Sequence, residues 1–240
     1  MNLNSIDYDQ SKKWLDSPLK KALIKLITSS FNDVDAELYF SKYFDANDVF
    51  SRKLRIYYYQ KEVVGYCLIT FTKSEQEILI RASAAFYPQY RKGGNTFIFS
   101  MTQAFLYWLK NPLKNIYYAD TMLSPAMYRA IANKAAIVWP SEKLAKQPKQ
   151  LFEQFNGSGD LSSLLNLRCL LNVGRSSNYS ESEVNSFKAS EKSEINYYCQ
   201  INPNFDKGIA LFVIMPINFK QFILTALKLS PFSSVKEKLK

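Results

Sequence analysis

The residues best suited to chemistry lie in the turn Arg91-Lys92-Gly93-Gly94-Asn95-Thr96, which joins a run of small and apolar residues to a long helical pattern. Glycine lets another group approach the backbone closely, and two of the seven glycines of the chain are adjacent here. The start of a helix offers unpaired N–H groups and the positive end of a dipole, which together favour an anion. Arg91 and Lys92 add positive charge beside it. The turn therefore predicts an anion-binding site, although a tight turn without a ligand would use the same residues.

Composition limits the side chains that are available for catalysis. The 240 residues include no histidine, which excludes histidine-dependent triads, histidine general bases and histidine metal sites. The three cysteines, Cys67, Cys169 and Cys199, lack metal-ligand spacing, so we expect no metal. An odd number of cysteines without a pairing pattern favours a reducing compartment, and we expect a cytoplasmic protein. Proton transfer would then depend on carboxylates, tyrosines, serines, cysteines, lysines or a bound water.

Two helices and three strands are predicted before the turn. Asp16-Ser17-Pro18 opens the first helix, which Ser17 can cap, and a second helix follows Asn32-Asp33. Apolar and polar residues then alternate over three segments joined by short turns, which predicts an antiparallel meander. Its strands start at Lys53, span Glu62 to Thr72, and span Glu77 to Tyr87.

A long helix and more short elements are predicted after the turn. The helix from Thr96 to Lys110 has apolar residues on more than one face, so we expect it to be well buried. Asn115 to Thr121 is a fourth strand, and Ser124 caps a short helix. Ala136 to Trp139 is a further strand. The order predicts an α/β (α+β) fold: a mixed central sheet with an antiparallel meander, flanked by helices.

The composition changes after Pro140, where Lys, Gln, Ser and Asn become frequent. We therefore divide the chain into a core of residues 1–140 and a C-terminal extension of residues 141–240 that completes the core or packs on it. The role of this extension is open: it could cover the groove for a second substrate, supply part of that groove, or form a surface for a partner.

The extension has a strand pair and a helix in our prediction. Ile195 to Ile201 and Gly208 to Ile217 are expected strands that could form a hairpin. A last helix runs from Phe219 to Leu229, and the tail Lys236 to Lys240 is expected to fray. Polar residues interrupt the apolar stretch from Gly208 to Leu229, so we expect no membrane span.

The order of elements and the turn resemble the GNAT superfamily of N-acetyltransferases, over roughly residues 15–140. In that family two helices precede an antiparallel meander, whose last strand enters a loop of pattern Arg/Gln-x-x-Gly-x-Gly/Ala before a long helix. Arg91 matches the first position, Gly94 the fourth and Thr96 the sixth, where a threonine replaces the usual Gly or Ala. Pro88 and Tyr90 resemble the usual approach to that loop.

The resemblance implies roles for particular residues. The pyrophosphate of coenzyme A would be held by the loop residues Arg91, Lys92, Gly93, Gly94, Asn95 and Thr96. Its pantetheine arm would bind at the end of the preceding strand, at Phe86 and Tyr87. Tyr128, in the short helix after the next strand, resembles the family's general acid, and packing is its alternative role. Asp120, at the end of the fourth strand, is the nearest acidic candidate for a general base, and a strand-end cap is its alternative role.

The resemblance implies an N-acyltransferase that moves an acyl group from acetyl-CoA or another acyl-CoA to an amine acceptor, whose identity the residues do not specify. The alternative is a catalytically inactive, GNAT-like binding or interaction protein. A formal charge of +10 favours anionic partners in general, which include a phosphorylated cofactor, nucleic acid and an anionic membrane surface. The Lys-, Asn- and Ile-rich composition is typical of a bacterial gene of low GC content.

Overall fold

The computed structural model describes residues 3–91, 94–144 and 146–230. Its helices are α1 (Ser17–Ser30), α2 (Ala36–Phe44), α3 (Thr96–Lys110), α4 (Pro125–Ala132), α5 (Lys149–Phe155), α6 (Glu181–Lys188), α7 (Ser193–Ile201) and α8 (Phe219–Leu229). Its strands are β1 (Asn4–Asp9), β2 (Phe31–Asn32), β3 (Val49–Tyr59), β4 (Glu62–Ser74), β5 (Glu77–Phe86), β6 (Asn115–Met122), β7 (Asp160–Ser162), β8 (Leu167–Asn172), β9 (Ser176–Ser177) and β10 (Ile209–Pro216). The predicted frayed tail, residues 236–240, lies outside the described residues.

A mixed sheet of eight strands organises the molecule, in the order β1-β3-β4-β5-β6-β10-β8-β7. Alternating β-branched and aromatic residues favour the antiparallel pairs β3–β4 and β4–β5, which form the predicted meander. The crossover through α3 makes β5 and β6 parallel. The predicted fold class is confirmed. Because β10 pairs with β6, residues beyond 140 complete the same sheet, and the division at residue 140 stays a prediction.

Helices cover both faces of the sheet. On one face α1 and α2 bury apolar side chains such as Leu23 and Phe40 against Leu54 and Leu68 of the meander. The opposite face holds the larger cluster, in which Ile69 of β4 packs with residues of α3, β6 and β10. Alternate residues of β4 thus point to different helical layers, as the two-residue period of a strand requires. No helix within the described residues is long and apolar enough to cross a membrane.

Helix caps fix where several elements begin. The first helix begins at Ser17 as predicted, but its cap is Asp16, whose carboxylate accepts the Leu19 N–H at 2.9 Å. Ser17, predicted as the cap, is instead the first helical residue because the carboxylate one position earlier has the better reach. Ser124 caps α4 as predicted and accepts the Met127 N–H at 3.4 Å.

Three predictions beyond residue 135 were wrong. Residues 195–201 form helix α7, because their apolar side chains also fit a three-to-four residue spacing and pack under α4. The predicted hairpin therefore does not form, and β10 pairs with β6 and β8 instead. Between residues 136 and 139 only Trp139 makes a bridge, to Ile214 of β10.

Helix α3 has the predicted bounds but not the predicted burial. Only Phe97, Phe99 and Ala104 are buried among its residues, whereas several of its large apolar side chains are exposed. The prediction of a well-buried helix was wrong because no described element packs across its outer face. Helix α8 also has its predicted bounds, Phe219–Leu229.

Candidate functional site

Strands β5 and β6 separate at the centre of the sheet. They pair in parallel only where Glu77–Ile80 lie beside Asn115–Tyr118. Beyond these residues β5 continues to Phe86 and β6 continues to Met122 without pairing to each other. We call the space between the two diverging ends the β5–β6 gap.

Backbone groups of β5 face the β5–β6 gap. The Ala82 N–H donates across it to the Asp120 carboxylate at 2.7 Å, while the Tyr87 N–H donates in the other direction, to the Val64 carbonyl. Since the N–H and C=O groups of a strand alternate in direction, the backbone N–H and C=O of Ala84 point toward the gap. The side chains from Ala82 to Ala85 are small, so an extended ligand could lie close to this backbone.

Asp120 lies within the gap and is buried. Besides the Ala82 N–H, its carboxylate accepts the Thr121 N–H at 2.7 Å and lies 3.4 Å from the Tyr118 hydroxyl. Burial raises the pKa of Asp120, and the two backbone hydrogen bonds only partly offset that rise. A carboxyl group with a raised pKa is better suited to accept a proton than an ordinary aspartate, and the same contacts also fasten β6 to β5.

The start of α3 has its own polar contacts. Asn95 is the helix cap, and its side chain accepts the Ile98 N–H at 3.4 Å. Thr96 is the first helical residue, and its carbonyl accepts the Ser100 hydroxyl at 2.8 Å. The predicted loop residues Lys92 and Gly93 lie outside the described residues.

Gly94 is required for packing. A Cβ atom at Gly94 would lie 2.6 Å from Cε1 of Phe86 and closer still to Cζ. A Cβ atom at Gly65 of β4 would also overlap this ring, at its Cδ1 and Cε1 atoms. Phe86 is therefore a buried core residue packed against two glycines, while Tyr87 is half-buried at the strand end. A ligand is not needed to explain why glycine occupies position 94.

Arg91 connects the loop to the C-terminal extension. Its guanidinium donates to the Asn178 carbonyl at 2.8 Å and lies 4.7 Å from the centre of the Tyr179 ring. The side chain thus points toward residues 178–179, and the loop and the extension are joined at this contact.

Tyr128 takes part in none of the β5–β6 gap contacts described above. It is buried between α4 and α7, beside the rings of Tyr197 and Tyr198, and its hydroxyl donates to the Pro140 carbonyl at 2.8 Å. Burial raises its pKa, and the neighbouring Tyr197 raises it further. A hydroxyl with a raised pKa stays protonated at neutral pH, but it would have to leave the Pro140 carbonyl to protonate a thiolate.

Arg175 is a site residue that the sequence analysis missed. Its guanidinium lies over the rings of Phe31, Tyr39 and Tyr43, with 4.7 Å to the Tyr39 ring centre, and donates to the Tyr43 hydroxyl at 3.2 Å. Its Nε is buried with no hydrogen-bond partner among the described residues. Its neighbours in sequence are Gly, Ser and Asn, which give no sign of such a contact.

Arg175 is connected through Tyr39 to β5, the strand beside the gap. Tyr39 and Tyr66 both hydrogen-bond the Ser83 hydroxyl of β5, at 2.7 and 2.9 Å. A water molecule bound to the Ser83 hydroxyl would have to compete with both tyrosines. Strand β9, directly after Arg175, pairs with β2 at the end of α1. This part of the extension therefore lies over the face of β5 opposite α3.

The described residues contain no group of three or more Cys, Asp or Glu side chains placed to bind a metal ion. The three cysteines are free, and burial raises the pKa of Cys67 and Cys169 to about 12. A thiol with so high a pKa is a poor nucleophile at neutral pH, and Cys67 is buried in the core.

Comparison with known proteins gives no match to a family model or to a curated protein. Several solved structures are similar to the chain. An acyl-CoA N-acyltransferase from Pseudomonas aeruginosa is 12% identical, with 49% of this chain and 79% of that chain covered and a TM-score of 0.32. The loading GNATL domain of CurA from Lyngbya majuscula is 12% identical, with 89% and 98% covered and a TM-score of 0.39.

A GNAT family acetyltransferase from Elizabethkingia anophelis, solved with acetyl-CoA bound, is 11% identical, with 57% of this chain and 86% of that chain covered and a TM-score of 0.33. Each is a likeness in fold alone. The element order that carries the resemblance in the sequence is present in the structure: α1 and α2, the β3–β4–β5 meander, then α3 and the parallel strand β6.

Proposed function

We propose that the chain binds acyl-CoA, with the pantetheine arm in the β5–β6 gap and the pyrophosphate at the turn formed by residues 91–96. The observation that carries this proposal is the separation of β5 from β6 beyond Ile80, which leaves the backbone N–H and C=O of Ala84 directed into the gap. An extended chain that contains amides would form hydrogen bonds with these groups, as an added β-strand does. The start of α3, which Asn95 caps, suits a pyrophosphate, and Arg91 and Lys92 precede it in the sequence.

The proposed reaction is acyl transfer from the thioester to an amine. The amine nitrogen attacks the thioester carbonyl carbon, the C–S bond breaks, one amine proton goes to a base, and the thiolate takes a proton from an acid. Asp120 is the proposed base because it lies in the gap with a raised pKa. Tyr128 is the proposed acid, a role that requires its hydroxyl to leave the Pro140 carbonyl.

The C-terminal extension would control the acceptor side of this site. Arg175 and β9 lie over the face of β5 opposite α3, where a thioester carbonyl reaching through the gap would emerge. The extension therefore supports the proposal that the acceptor is selected by residues beyond 140. The free cysteines agree with a cytoplasmic protein.

Cofactor binding is tested by calorimetry with acetyl-CoA and with pantetheine, which lacks the pyrophosphate. Reversal of charge in Lys92→Glu should weaken acetyl-CoA binding about tenfold and leave pantetheine binding unchanged, because only the pyrophosphate meets this charge. Lys114→Glu, at an exposed lysine four residues beyond the end of α3, is the matched control. Absence of acetyl-CoA binding to the folded wild-type protein would refute the proposal.

A second candidate function is an acyl-CoA-binding protein without turnover. The Tyr128 hydrogen bond to Pro140 favours it, because the proposed acid is committed to a backbone carbonyl. Release of free thiol from acetyl-CoA over a broad panel of amines distinguishes the two. Binding with no thiol release above the uncatalysed rate would select the second candidate, and amine-dependent release would select the transferase.

A further inference from the structure

Helices α3 and α8 present an apolar surface to solvent. Among the described residues fifteen large apolar side chains are exposed, and ten of them lie on α3, on the turn after it and on α8. These ten side chains define the α3–α8 face: Ile98, Phe105, Leu106, Leu109, Leu113, Phe219, Ile223, Leu224, Leu227 and Leu229. Single exposed apolar residues are ordinary, but a contiguous group of this size marks an interaction surface.

Aromatic contacts join the two helices into one surface. The Phe105 ring lies 4.9 Å from the Phe222 ring, and the Trp108 ring lies 5.4 Å from Phe222 and 6.2 Å from Phe219. Residues later in α3 thus meet residues at the start of α8. The exposed side chains of both helices flank this contact.

Helix α8 is turned with its polar side inward. Gln221 is fully buried and makes two hydrogen bonds with the backbone of Ile137, at 3.0 and 3.1 Å. Thr225 accepts the Ala136 N–H, and Lys228 donates to backbone carbonyls at the end of α4. These bonds fix the rotation of α8 about its axis. Its apolar residues are exposed because the polar residues anchor it to the protein.

The charges on the two helices have one sign. Neither α3, nor α8, nor the segment from 111 to 114 contains an aspartate or a glutamate. Lys110, Lys114 and Lys220 are exposed on them, and the whole chain has a formal charge of +10. A partner for this face must therefore be anionic and must also receive apolar side chains.

We propose that the α3–α8 face binds the surface of a membrane that contains anionic phospholipids. Exposed Leu, Ile and Phe side chains would enter the boundary between headgroups and acyl chains, and the lysines would meet the phosphates, as in helices that lie in the membrane interface. A second copy of the chain fits the face less well, because a two-fold contact would bring the lysines of both copies together.

The test is flotation of the full-length protein with vesicles of phosphatidylcholine alone or with about one third phosphatidylglycerol. The double variant Ile223→Ser with Leu227→Ser should bind the anionic vesicles at least about tenfold more weakly than wild type. Its matched control is Leu161→Ser with Leu164→Ser, two side chains of similar exposure outside the face, which should bind like wild type. Circular dichroism of each variant checks that the fold is retained.

Charge is tested separately. Lys220→Glu should weaken binding to the anionic vesicles at least about fivefold, whereas Lys12→Glu, with the same change in net charge, should have little effect. Equal losses in both charge variants, or in both double variants, would overturn the proposal, as would no binding to either vesicle. A dimer in solution that dissociates in the Ile223/Leu227 variant would instead assign the face to a second copy.

Discussion

Replacement of Gly94 by alanine should destabilise the protein through the ring of Phe86. A Cβ atom at this position would lie 2.6 Å from Cε1, where ordinary van der Waals contact begins at 3.4 Å. The ring is buried and also packs against Gly65, which limits how far it can move. Phe86 or the loop backbone must therefore shift when alanine is introduced.

The magnitude follows from two opposing effects. Forcing an extra carbon into a packed core costs about 1–3 kcal/mol. Alanine also makes the unfolded chain less flexible than glycine does, which returns about 0.4–1 kcal/mol. We expect the free energy of unfolding of Gly94→Ala to fall by about 1–2 kcal/mol.

A double-mutant cycle isolates the ring as the cause. Leucine at position 86 lacks the Cε and Cζ atoms that crowd Gly94, so Gly94→Ala should become neutral or slightly stabilising in a Phe86→Leu background. Gly65→Ala is the matched control, because its Cβ would also lie 2.8 Å from Cγ, an atom that leucine keeps. It should remain destabilising in both backgrounds. Urea unfolding followed by tryptophan fluorescence measures all four differences.

Equal costs of Gly94→Ala in the wild-type and Phe86→Leu backgrounds would refute this reasoning. The glycine would then have to be explained by the loop itself or by a ligand. The same overlap shows why a bulky residue at Gly94 is a poor test of pyrophosphate binding, since lost affinity could come from displaced packing. Charge reversal at Lys92 avoids that ambiguity.

Three further predictions concern the candidate site. As the pH falls from neutral toward 3.8, the free energy of unfolding of the wild type should rise relative to that of Asp120→Asn. The reason is that burial raises the pKa of Asp120 in the folded state, so the folded protein is stabilised when this carboxyl group takes up its proton and is destabilised when the group loses it at higher pH. Parallel curves of the free energy of unfolding against pH, from urea titrations of both proteins, would contradict this. Arg175→Ala should lower the free energy of unfolding by about 1–2 kcal/mol through lost contacts with Tyr43 and its neighbouring rings, and should speed amide hydrogen exchange in β9, which mass spectrometry would detect. Tyr128→Phe should cost about 1 kcal/mol by removing the bond to Pro140; an unchanged turnover number would assign Tyr128 to packing, whereas a loss of about 100-fold or more would support the acid role.

The central part of the fold could be predicted because its local signals agree with its tertiary role. The side chains of β4 and β5 alternate between two buried faces, and the turns between the meander strands are polar and short. The two-residue period and the positions of these turns therefore predict the ends of the strands nearly correctly. Helices α3 and α8 were bounded correctly for similar reasons, since Asn95 and Asn218 cap them and the patterns that follow are long.

Local pattern failed where two structures fit the same residues. The spacing of Ile195, Tyr197, Cys199 and Ile201 fits a strand, while the spacing of Ile195, Tyr198 and Ile201 fits a helix. The contact with α4 selects the helix, and that contact joins segments far apart in the chain. The burial of α3 failed for a related reason: apolar residues on several faces do not show which face another element covers.

The sequence by itself determined the meander, the bounds of the long helices and the position of the Gly93-Gly94 turn, because these depend on hydrophobic period, capping and backbone freedom over a few neighbouring residues. Only the tertiary structure decided what surrounds that turn. It placed Phe86 against Gly94, Asp120 across the β5–β6 gap, Tyr128 on the Pro140 carbonyl and Arg175 over the rings of α2. These contacts join residues that the chain brings together only by closing its sheet, and no short stretch of sequence specifies them.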